Sequence, residues 1–284
     1  MFALALERGS GRAAARLAML AAIGVAREPD WREALDQLER ACELGDAAAQ
    51  RQVLILADLD AARGRAWRSI REGIDIPALL AAPAVDWLSD RPRIGMVRGL
   101  ASEAMAEWLI ERGAPFLAPG EVNDASTGQI RRHEMRTALS AGLTVLRRDM
   151  VCAVMQARVA ALTGMPVHYH EPPNLISYEP GQQFEEHFDF VDPRAPRFQD
   201  ELAILGQRVA TCVTYLNADF DGGETHFPQA KLKLRGGPGD CVLFVNVFAD
   251  GQPDPLTVHA GLPPSRGRKW VLSQWLRSKP QPLL

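Results

Sequence analysis

A histidine and an aspartate separated by one residue are the first candidates for chemistry in this sequence. His187 and Asp189 lie in the stretch YEPGQQFEEHFDFVD, residues 178–192. Its phenylalanines favour a β-strand, whose two-residue period would place both polar side chains on one face. An imidazole and a carboxylate on one face can bind a divalent metal ion, although an isolated pair more often belongs to an exposed edge strand. A metal site therefore needs a third ligand from elsewhere in the chain.

His259 supplies that third ligand in our interpretation. It follows a β-branched run in LTVHAGLPP and is one of six histidines, which are His133, His168, His170, His187, His226 and His259. Two imidazoles and one carboxylate leave three positions of an octahedron open, which favours non-haem iron(II). Lys269 follows ten residues after His259. A lysine inside a pocket needs an anion, and the carboxylate of a co-substrate would serve.

Other polar motifs are weaker candidates. His168 and His170 alternate in VHYH, but no carboxylate follows at matching parity, so we interpret this stretch as an ordinary strand. His226 follows a Gly-Gly turn and is interpreted as a hairpin residue near the mouth of the pocket. The glycine-rich stretch 235–241 lacks the lysine and the following helix of a phosphate-binding loop.

Composition excludes several classes of protein. A chain of 284 residues with 47% hydrophobic and 24% charged residues is typical of one large or two smaller globular domains. A net charge of −3 gives no basis for nucleic acid as a partner. No stretch approaches the roughly 18 apolar residues of a membrane span. Four widely spaced cysteines indicate buried thiols in a reducing compartment, so we expect a cytoplasmic protein.

The N-terminal part, residues 1–90, predicts an all-helical segment. LALERGSGRAAARLAML from Leu4 is similar to LERACELGDAAAQRQVLIL from Leu38 at an offset of 34 residues, which is typical of a helix–turn–helix repeat. The stretch 31–50 resembles a Sel1-like, tetratricopeptide-type repeat. Two copies are few for a free-standing solenoid, so we expect a helical cap, with a docking site for a protein partner as the alternative.

The remainder, residues 91–284, predicts a β-domain with support helices. Prolines mark a linker around residues 77–95, and two amphipathic helices are expected at 102–112 and 143–162. From Val167 onward, short β-branched or aromatic runs alternate with turns; they are LISY, RVATCVTYL, CVLFVNVF and KWVLSQWL. This pattern is typical of an antiparallel sandwich or barrel.

Residues 94–277, about two thirds of the chain, resemble the prolyl 4-hydroxylase-type branch of the iron(II)/2-oxoglutarate-dependent dioxygenases. The matching blocks occur in order and are RTALSAGL from Arg136, YEPGQQFEEHFD from Tyr178, RVATCVTYLNADFDGGETHFP from Arg208, GDCVLFVN from Gly239 and VHAGLPPSRGRKWVLSQWLR from Val258. The resemblance implies an α+β protein whose oxygenase domain is a double-stranded β-helix, a jelly-roll related to the cupins.

The resemblance also implies residue roles. It gives the metal positions to His187, Asp189 and His259, and it pairs Lys269 with the distal carboxylate of 2-oxoglutarate. Tyr178 and Thr211 fall on positions that help to bind that carboxylate. Arg268 is a competing cation, but strand alternation points it away from Lys269.

Three further positions concern the substrate. Trp275 and Arg194 fall where relatives contact a peptide. Phe184 departs from the family, because many prolyl hydroxylases carry tyrosine there, and this leaves the identity of the hydroxylated residue open. Phe184 has the opposite strand parity to His187, unless the EE between them bends the strand toward the pocket.

The implied activity is hydroxylation of an aliphatic carbon in a prolyl or other residue of a peptide or protein. It would use Fe(II), 2-oxoglutarate and O₂, with ascorbate in support, and release succinate and carbon dioxide. Asp189 favours hydroxylation, because related halogenases lack that carboxylate. The alternatives are a hydroxylase of a free amino acid or small metabolite, and an inactive repeat-bearing binding or sensor protein.

Overall fold

The structure, a computed structural model, describes residues 2–25, 27–119, 121–123, 130–132 and 137–282; His133 and Arg136 lie outside them. The chain divides into two compact units, Met1–Ala82 with Arg147–Val167 and Pro83–Leu146 with His168–Leu284. Along the sequence, the first unit thus ends at Ala82, whereas the predicted helical segment ended at residue 90. The helix expected at 143–162 falls mostly in the range Arg147–Val167 of the first unit. Within the described residues, no helix is both long and apolar enough to cross a bilayer.

The first unit is built from helices in the part that the structure describes. They are α1 (Phe2–Glu7), α2 (Gly11–Ile23), α3 (Trp31–Glu43), α4 (Ala47–Leu56), α5 (Trp67–Glu72), α6 (Ile76–Leu80) and α8 (Met150–Thr163), whereas α7 (Glu103–Gly113) and α9 (Gln199–Leu205) belong to the second unit. The helical prediction for residues 1–90 thus agrees with the described residues up to Leu80, but Val85–Asp90 forms a strand. The assignment to a Sel1-like or tetratricopeptide-type repeat stays a prediction.

Side-chain caps set where these helices begin. Asp30, Asp46 and Asp149 each accept a hydrogen bond from a backbone N–H three residues later. Helix α8 therefore begins at Met150, seven residues later than predicted. Met150 N donates to Gln52 Oε1 at 2.9 Å, and this contact ties α8 to α4 within the first unit.

The second unit contains all the described strands. They are β1 (Val85–Asp90), β2 (Arg93–Val97), β3 (Ala118–Pro119), β4 (Glu121–Asn123), β5 (Ile130–Arg132), β6 (Leu139–Gly142), β7 (Asn174–Tyr178), β8 (Phe184–His187), β9 (Arg208–Tyr215), β10 (Asp221–Gly222), β11 (Thr225–Phe227), β12 (Leu232–Leu234), β13 (Cys241–Val245), β14 (His259–Gly261), β15 (Pro264–Arg266) and β16 (Lys269–Arg277). Short 3₁₀ helices lie at Ala114–Phe116, Val167–Tyr169, Pro196–Phe198 and Pro255–Thr257.

Two antiparallel sheets enclose the core of this unit. The larger has the order β1-β2-β13-β9-β16-β7-β6-β3, and the smaller has the order β12-β11-β14-β8. Apolar side chains of both sheets form one cluster, in which the Phe227 ring of the small sheet meets the Phe244 ring of the large sheet edge-on at 5.1 Å. The unit is the expected double-stranded β-helix, and the protein is of the α+β class.

Two local expectations were wrong. The supposed linker at 77–95 contains the β1–β2 hairpin, which extends the large sheet through pairing of β2 with β13. Pro92 falls in the turn between the strands, where no ladder hydrogen bond is lost, so it does not prevent pairing. The stretch VHYH is also not an extended strand, because Val167–Tyr169 forms a 3₁₀ helix and only His170 makes a β-bridge, to Leu276.

Candidate active site

Strand pairing brings the three predicted metal ligands together. His187 ends β8 and lies opposite His259, the first residue of β14. Asp189 follows two residues after His187 and is buried. His187 Nε2 lies 3.6 Å from Asp189 Oδ1, and His259 Nε2 lies 3.7 Å from Asp189 Oδ2. One ligand atom from each residue falls within a group no wider than 4.8 Å, a spacing that suits a single metal ion.

Hydrogen bonds fix which nitrogen each imidazole presents. Nδ1 of His187 lies 2.7 Å from the carbonyl of Glu185, and Nδ1 of His259 lies 3.0 Å from the carbonyl of Thr257. A carbonyl only accepts, so Nδ1 carries the hydrogen in each ring and Nε2 keeps its lone pair for a metal. This is the arrangement that neutral histidine ligands need.

The carboxylate is held in its ionised form. Burial alone would raise the pKa of Asp189, but the neighbouring His259 and His187, with smaller contributions from Arg208 and Thr211, lower the pKa below its ordinary value. Two imidazole nitrogens and one carboxylate with open space beside them fit iron(II), which accepts nitrogen and oxygen ligands in a facial arrangement.

Thr211 lies behind Asp189. Its Oγ1 donates to Asp189 Oδ2 at 2.8 Å, and Asn246 Nδ2 donates to the same Oγ1 at 2.9 Å. The Thr211 side chain is completely buried and does not line the pocket beside the ligands. The structure thus places Thr211 against the metal-site carboxylate and outside the pocket lining, and the contact with 2-oxoglutarate that the resemblance implied stays a prediction.

Strand β16 forms one wall of the pocket through alternate residues. Lys269, Val271, Ser273 and Trp275 all line it, as the two-residue period requires. The space between its lining residues is about 420 Å³, part of which is open solvent. The metal-ligand group lies in the same pocket, so one bound molecule can contact both the metal and this wall.

Lys269 provides a buried cation in that wall. Its side chain is only 1% exposed, and Nζ lies 4.7 Å from the ring centre of Tyr178. Burial lowers the Lys269 pKa to about 7, although Glu224 opposes the shift. Among the ion pairs formed between described residues, none includes Lys269. A buried ammonium of this kind favours an anionic ligand.

Arg268 lies on the other face of β16. Its Nε donates to Ser177 Oγ at 2.8 Å, and its Nη2 pairs with Glu179 at 2.9 Å. Arg268 is therefore occupied outside the pocket, in the direction that strand alternation predicts.

Phe184 enters the pocket through an irregularity in β8. His187 and Phe184, three residues apart, lie opposite His259 and Gly261, which are two residues apart. This register shift reverses the parity of Phe184. Its ring consequently stacks on His187 with the ring centres 3.5 Å apart.

The two predicted peptide contacts have different surroundings. Trp275 lines the pocket, and the guanidinium of Arg208 lies 4.4 Å from its ring centre. Arg194 has an 89% exposed side chain that pairs with Asp192 in its own loop. The structure brings Trp275 to the site but leaves Arg194 outside the pocket lining.

Several site residues were missed by the sequence reasoning. Thr225 lines the pocket, and its Oγ1 lies 2.8 Å from the Tyr215 hydroxyl. Its neighbour His226 pairs in the β11–β12 hairpin and does not line the pocket. Thr225 lies two residues before the apolar Phe227 on the same strand. The two-residue period of a strand would therefore have placed its side chain on the same, inward face as Phe227. Glu171, which binds Arg208 bidentately at 2.6 and 2.9 Å, gave no local signal because its partner lies 37 residues away.

Comparisons with known proteins agree with this geometry. Residues 173–277, which include all three metal-ligand candidates and Lys269, match the family model of the 2OG-Fe(II) oxygenase superfamily. The chain is 33% identical over 208 residues to prolyl 4-hydroxylase subunit alpha-1 of Rattus norvegicus, covering 72% of this chain and 38% of that subunit. It is 31% identical over 204 residues to prolyl 4-hydroxylase 1 of Arabidopsis thaliana, covering 66% of this chain and 70% of the plant protein.

A solved structure supports the fold. The viral collagen prolyl hydroxylase of Paramecium Bursaria Chlorella virus-1, in complex with 2OG, superposes with a TM-score of 0.51 at 24% identity, covering 66% of this chain and 96% of the viral one. At this identity the match concerns architecture alone. The chain spans only about two fifths of the length of the rat subunit, so the similarity concerns the region around the pocket.

Proposed function

Because the chain belongs to the 2OG-Fe(II) oxygenase superfamily, and within it to the prolyl 4-hydroxylase branch, we propose that it hydroxylates an aliphatic carbon of a prolyl or other residue in a peptide or protein. Fe(II), 2-oxoglutarate and O₂ are the cofactor and co-substrates of this family, and we propose that ascorbate supports turnover. The observation that carries the proposal is the meeting of a His-Asp-His group and a buried lysine in one pocket.

The chain's own residues hold and orient the reactants. Nε2 of His187, Nε2 of His259 and one oxygen of Asp189 would hold iron(II), because their other polar atoms are already engaged. When bound, the iron supplies the oxidative decarboxylation of 2-oxoglutarate that drives hydroxylation. The protein contributes fixed ligands and a largely apolar wall that excludes water.

Lys269 would bind the distal carboxylate of 2-oxoglutarate. The pairing offsets the cost of keeping an ammonium in the interior, and Tyr178 stacks against the same Nζ. Thr225 offers a further hydroxyl in this pocket. The combination selects a small dicarboxylic keto acid over a monocarboxylic one, because only the former reaches both the metal and the lysine.

The pocket also bears on the substrate. Phe184 stacks on His187 and Trp275 lines the same pocket, so the reacting carbon should belong to an apolar side chain. Phe184 has no hydroxyl to bond a polar group. A prolyl ring satisfies this requirement, and so does another aliphatic residue.

The experiment is a substrate screen of the full chain with Fe(II), 2-oxoglutarate and ascorbate. A panel of peptides would contain proline, leucine, valine or lysine in the same flanking sequence, and the matching free amino acids would be tested in parallel. We expect a mass gain of one oxygen atom on a peptide, coupled to succinate. Oxygen gain on free amino acids alone would favour the small-metabolite alternative. Absence of both succinate and product would indicate an inactive binding protein.

We further propose two features that concern the whole protein. A cytoplasmic location is supported by four cysteines that are all free and buried. The second feature is that the helical unit binds a protein partner. Substitution of exposed charges on α3, such as Asp36→Ala, should weaken partner capture without changing succinate formation if this surface docks a partner.

A further inference from the structure

A chain of hydrogen bonds lies behind the carboxylate of the metal site. Asn246 Nδ2 donates to Thr211 Oγ1 at 2.9 Å, and Thr211 Oγ1 donates to Asp189 Oδ2 at 2.8 Å. Thr211 and Asn246 are both completely buried, and neither lines the co-substrate pocket. The hydrogen bond to Asp189 is the polar contact by which this hydrogen-bond chain reaches the metal site.

Counting hydrogens sets the direction of this chain. Nδ2 of Asn246 has hydrogens and no lone pair to offer, so Thr211 Oγ1 accepts from it. The single hydrogen of the Thr211 hydroxyl is then directed at Asp189. If the Asn246 amide were reversed, its oxygen and the Asp189 carboxylate would compete for that one hydrogen, and a hydrogen bond would be lost.

The Thr211 hydrogen bond makes the two oxygens of Asp189 unequal. Oδ1 lies 3.6 Å from His187 Nε2 and Oδ2 lies 3.7 Å from His259 Nε2, so both are near the metal position. A carboxylate that bound through both oxygens would occupy a metal position that the co-substrates need. The hydrogen bond to Oδ2 engages that oxygen and leaves Oδ1 as the better ligand.

We propose that Thr211, oriented by Asn246, is a positioning residue that restricts Asp189 to one metal bond and so keeps three metal positions free for 2-oxoglutarate and O₂. The inference rests on the proposed function. It also gives Thr211 a role different from a direct contact with the distal carboxylate of 2-oxoglutarate, since the side chain does not reach the pocket.

The test uses Co(II) as a probe that binds without turnover. Thr211→Val removes the hydroxyl and keeps the shape, Thr211→Ser restores the hydroxyl, and Thr214→Val is the matched control, because Thr214 is also buried on β9 but lies on its other face. Each variant of the 284-residue chain is titrated with Co(II), followed by its d–d absorption, and then titrated with 2-oxoglutarate at saturating Co(II).

We expect Thr211→Val to change the Co(II) absorption band and to raise the Kd for 2-oxoglutarate by about tenfold or more. Losing a partner of a metal ligand typically costs about ten- to a hundredfold in metal affinity or activity, and here the loss should fall on the metal position that 2-oxoglutarate needs. Thr211→Ser should restore both, and Thr214→Val should match the wild type. Asn246→Leu, which frees the hydroxyl to rotate, should shift the same two quantities in the same direction by less, and it provides the test if Thr211→Val does not fold.

The outcomes separate this inference from the proposed function. A Thr211→Val protein with the wild-type Co(II) spectrum and the wild-type Kd for 2-oxoglutarate would overturn the positioning role alone. An equal loss in Thr214→Val would also overturn it, because the effect would then come from β9 packing. A wild-type chain that binds no Co(II) would overturn the proposed function together with the inference.

Discussion

The binding of 2-oxoglutarate should depend on pH because Lys269 is buried. Burial lowers the Lys269 pKa to about 7 in the unliganded protein. Since only the charged ammonium pairs with a carboxylate, binding above that pKa requires uptake of a proton. The apparent Kd should be constant below about pH 7 and rise about tenfold per pH unit above it, which is a loss of about a hundredfold by pH 9.

The same shift affects stability. The unfolded chain holds the Lys269 proton up to pH 10.5 and the native chain only to about 7, so between these values the unfolded state binds more protons and stability rises with pH. The charged lysine costs the unliganded fold on the order of 5 kcal/mol. Lys269→Met should stabilise the protein by up to that amount at or below pH 7, and the gain should vanish toward pH 10.

The assay is calorimetric titration of the Mn(II)-loaded chain with 2-oxoglutarate at intervals from pH 6 to pH 9. Lys269→Arg is the matched control, because a guanidinium remains charged throughout and its Kd should show no such slope. Denaturant unfolding of the wild type and Lys269→Met over the same pH range measures the predicted difference in their free energies of unfolding. A wild-type Kd that stays constant to pH 9, or an equal slope in Lys269→Arg, would refute the assignment of the anion site to Lys269.

Two further predictions concern the surroundings of the metal site. Phe184→Tyr should keep 2-oxoglutarate turnover but lower the ratio of hydroxylated product to succinate, because a hydroxyl without a partner in this pocket costs about 1–3 kcal/mol; an unchanged ratio would make Phe184 mere packing. Glu171→Gln should lower the free energy of unfolding by about 3 kcal/mol, the lower end for a broken buried pair, because Arg208 loses its bidentate anion while Arg277 keeps Glu201. Burial would raise the Glu171 pKa, but Arg208 and Arg277 lower it overall, so this stability is present above the ordinary pKa and is lost as pH falls through the lowered pKa. Equal unfolding curves for Glu171→Gln and the wild type near pH 7 would contradict this prediction for Glu171.

The sequence was sufficient where chemistry depends on short periods. Alternation separated Lys269 from Arg268 on β16, and the structure has these two side chains on opposite faces. His187 and Asp189 could be paired from the sequence because they lie two residues apart, at the end of one strand and just after it. His259 could be added because few histidines exist, although its position opposite His187 depends on a strand pairing that periodicity cannot reveal.

Features that depend on long-range contacts were not predictable in this way. The proline-rich stretch at 77–95 contains a hairpin because β13 offers β2 an edge to pair with. Thr211 bonds to Asp189, which lies 22 residues earlier in the sequence, and no local pattern records that contact. Helix α8 belongs with the N-terminal helices through contacts such as Met150 to Gln52, which are 98 residues apart.

The most direct test of the central claim is succinate formation from 2-oxoglutarate by the wild type and by Asp189→Ala, each with and without Fe(II). We expect the wild type to form succinate only when Fe(II) is present. The amount of succinate should rise when a substrate peptide is added, and that peptide should become hydroxylated. Asp189→Ala should form none while giving the wild-type circular dichroism spectrum, because the strands supply the core. Wild-type rates in Asp189→Ala, or succinate independent of Fe(II), would contradict the assignment of this His-Asp-His group as the catalytic metal site.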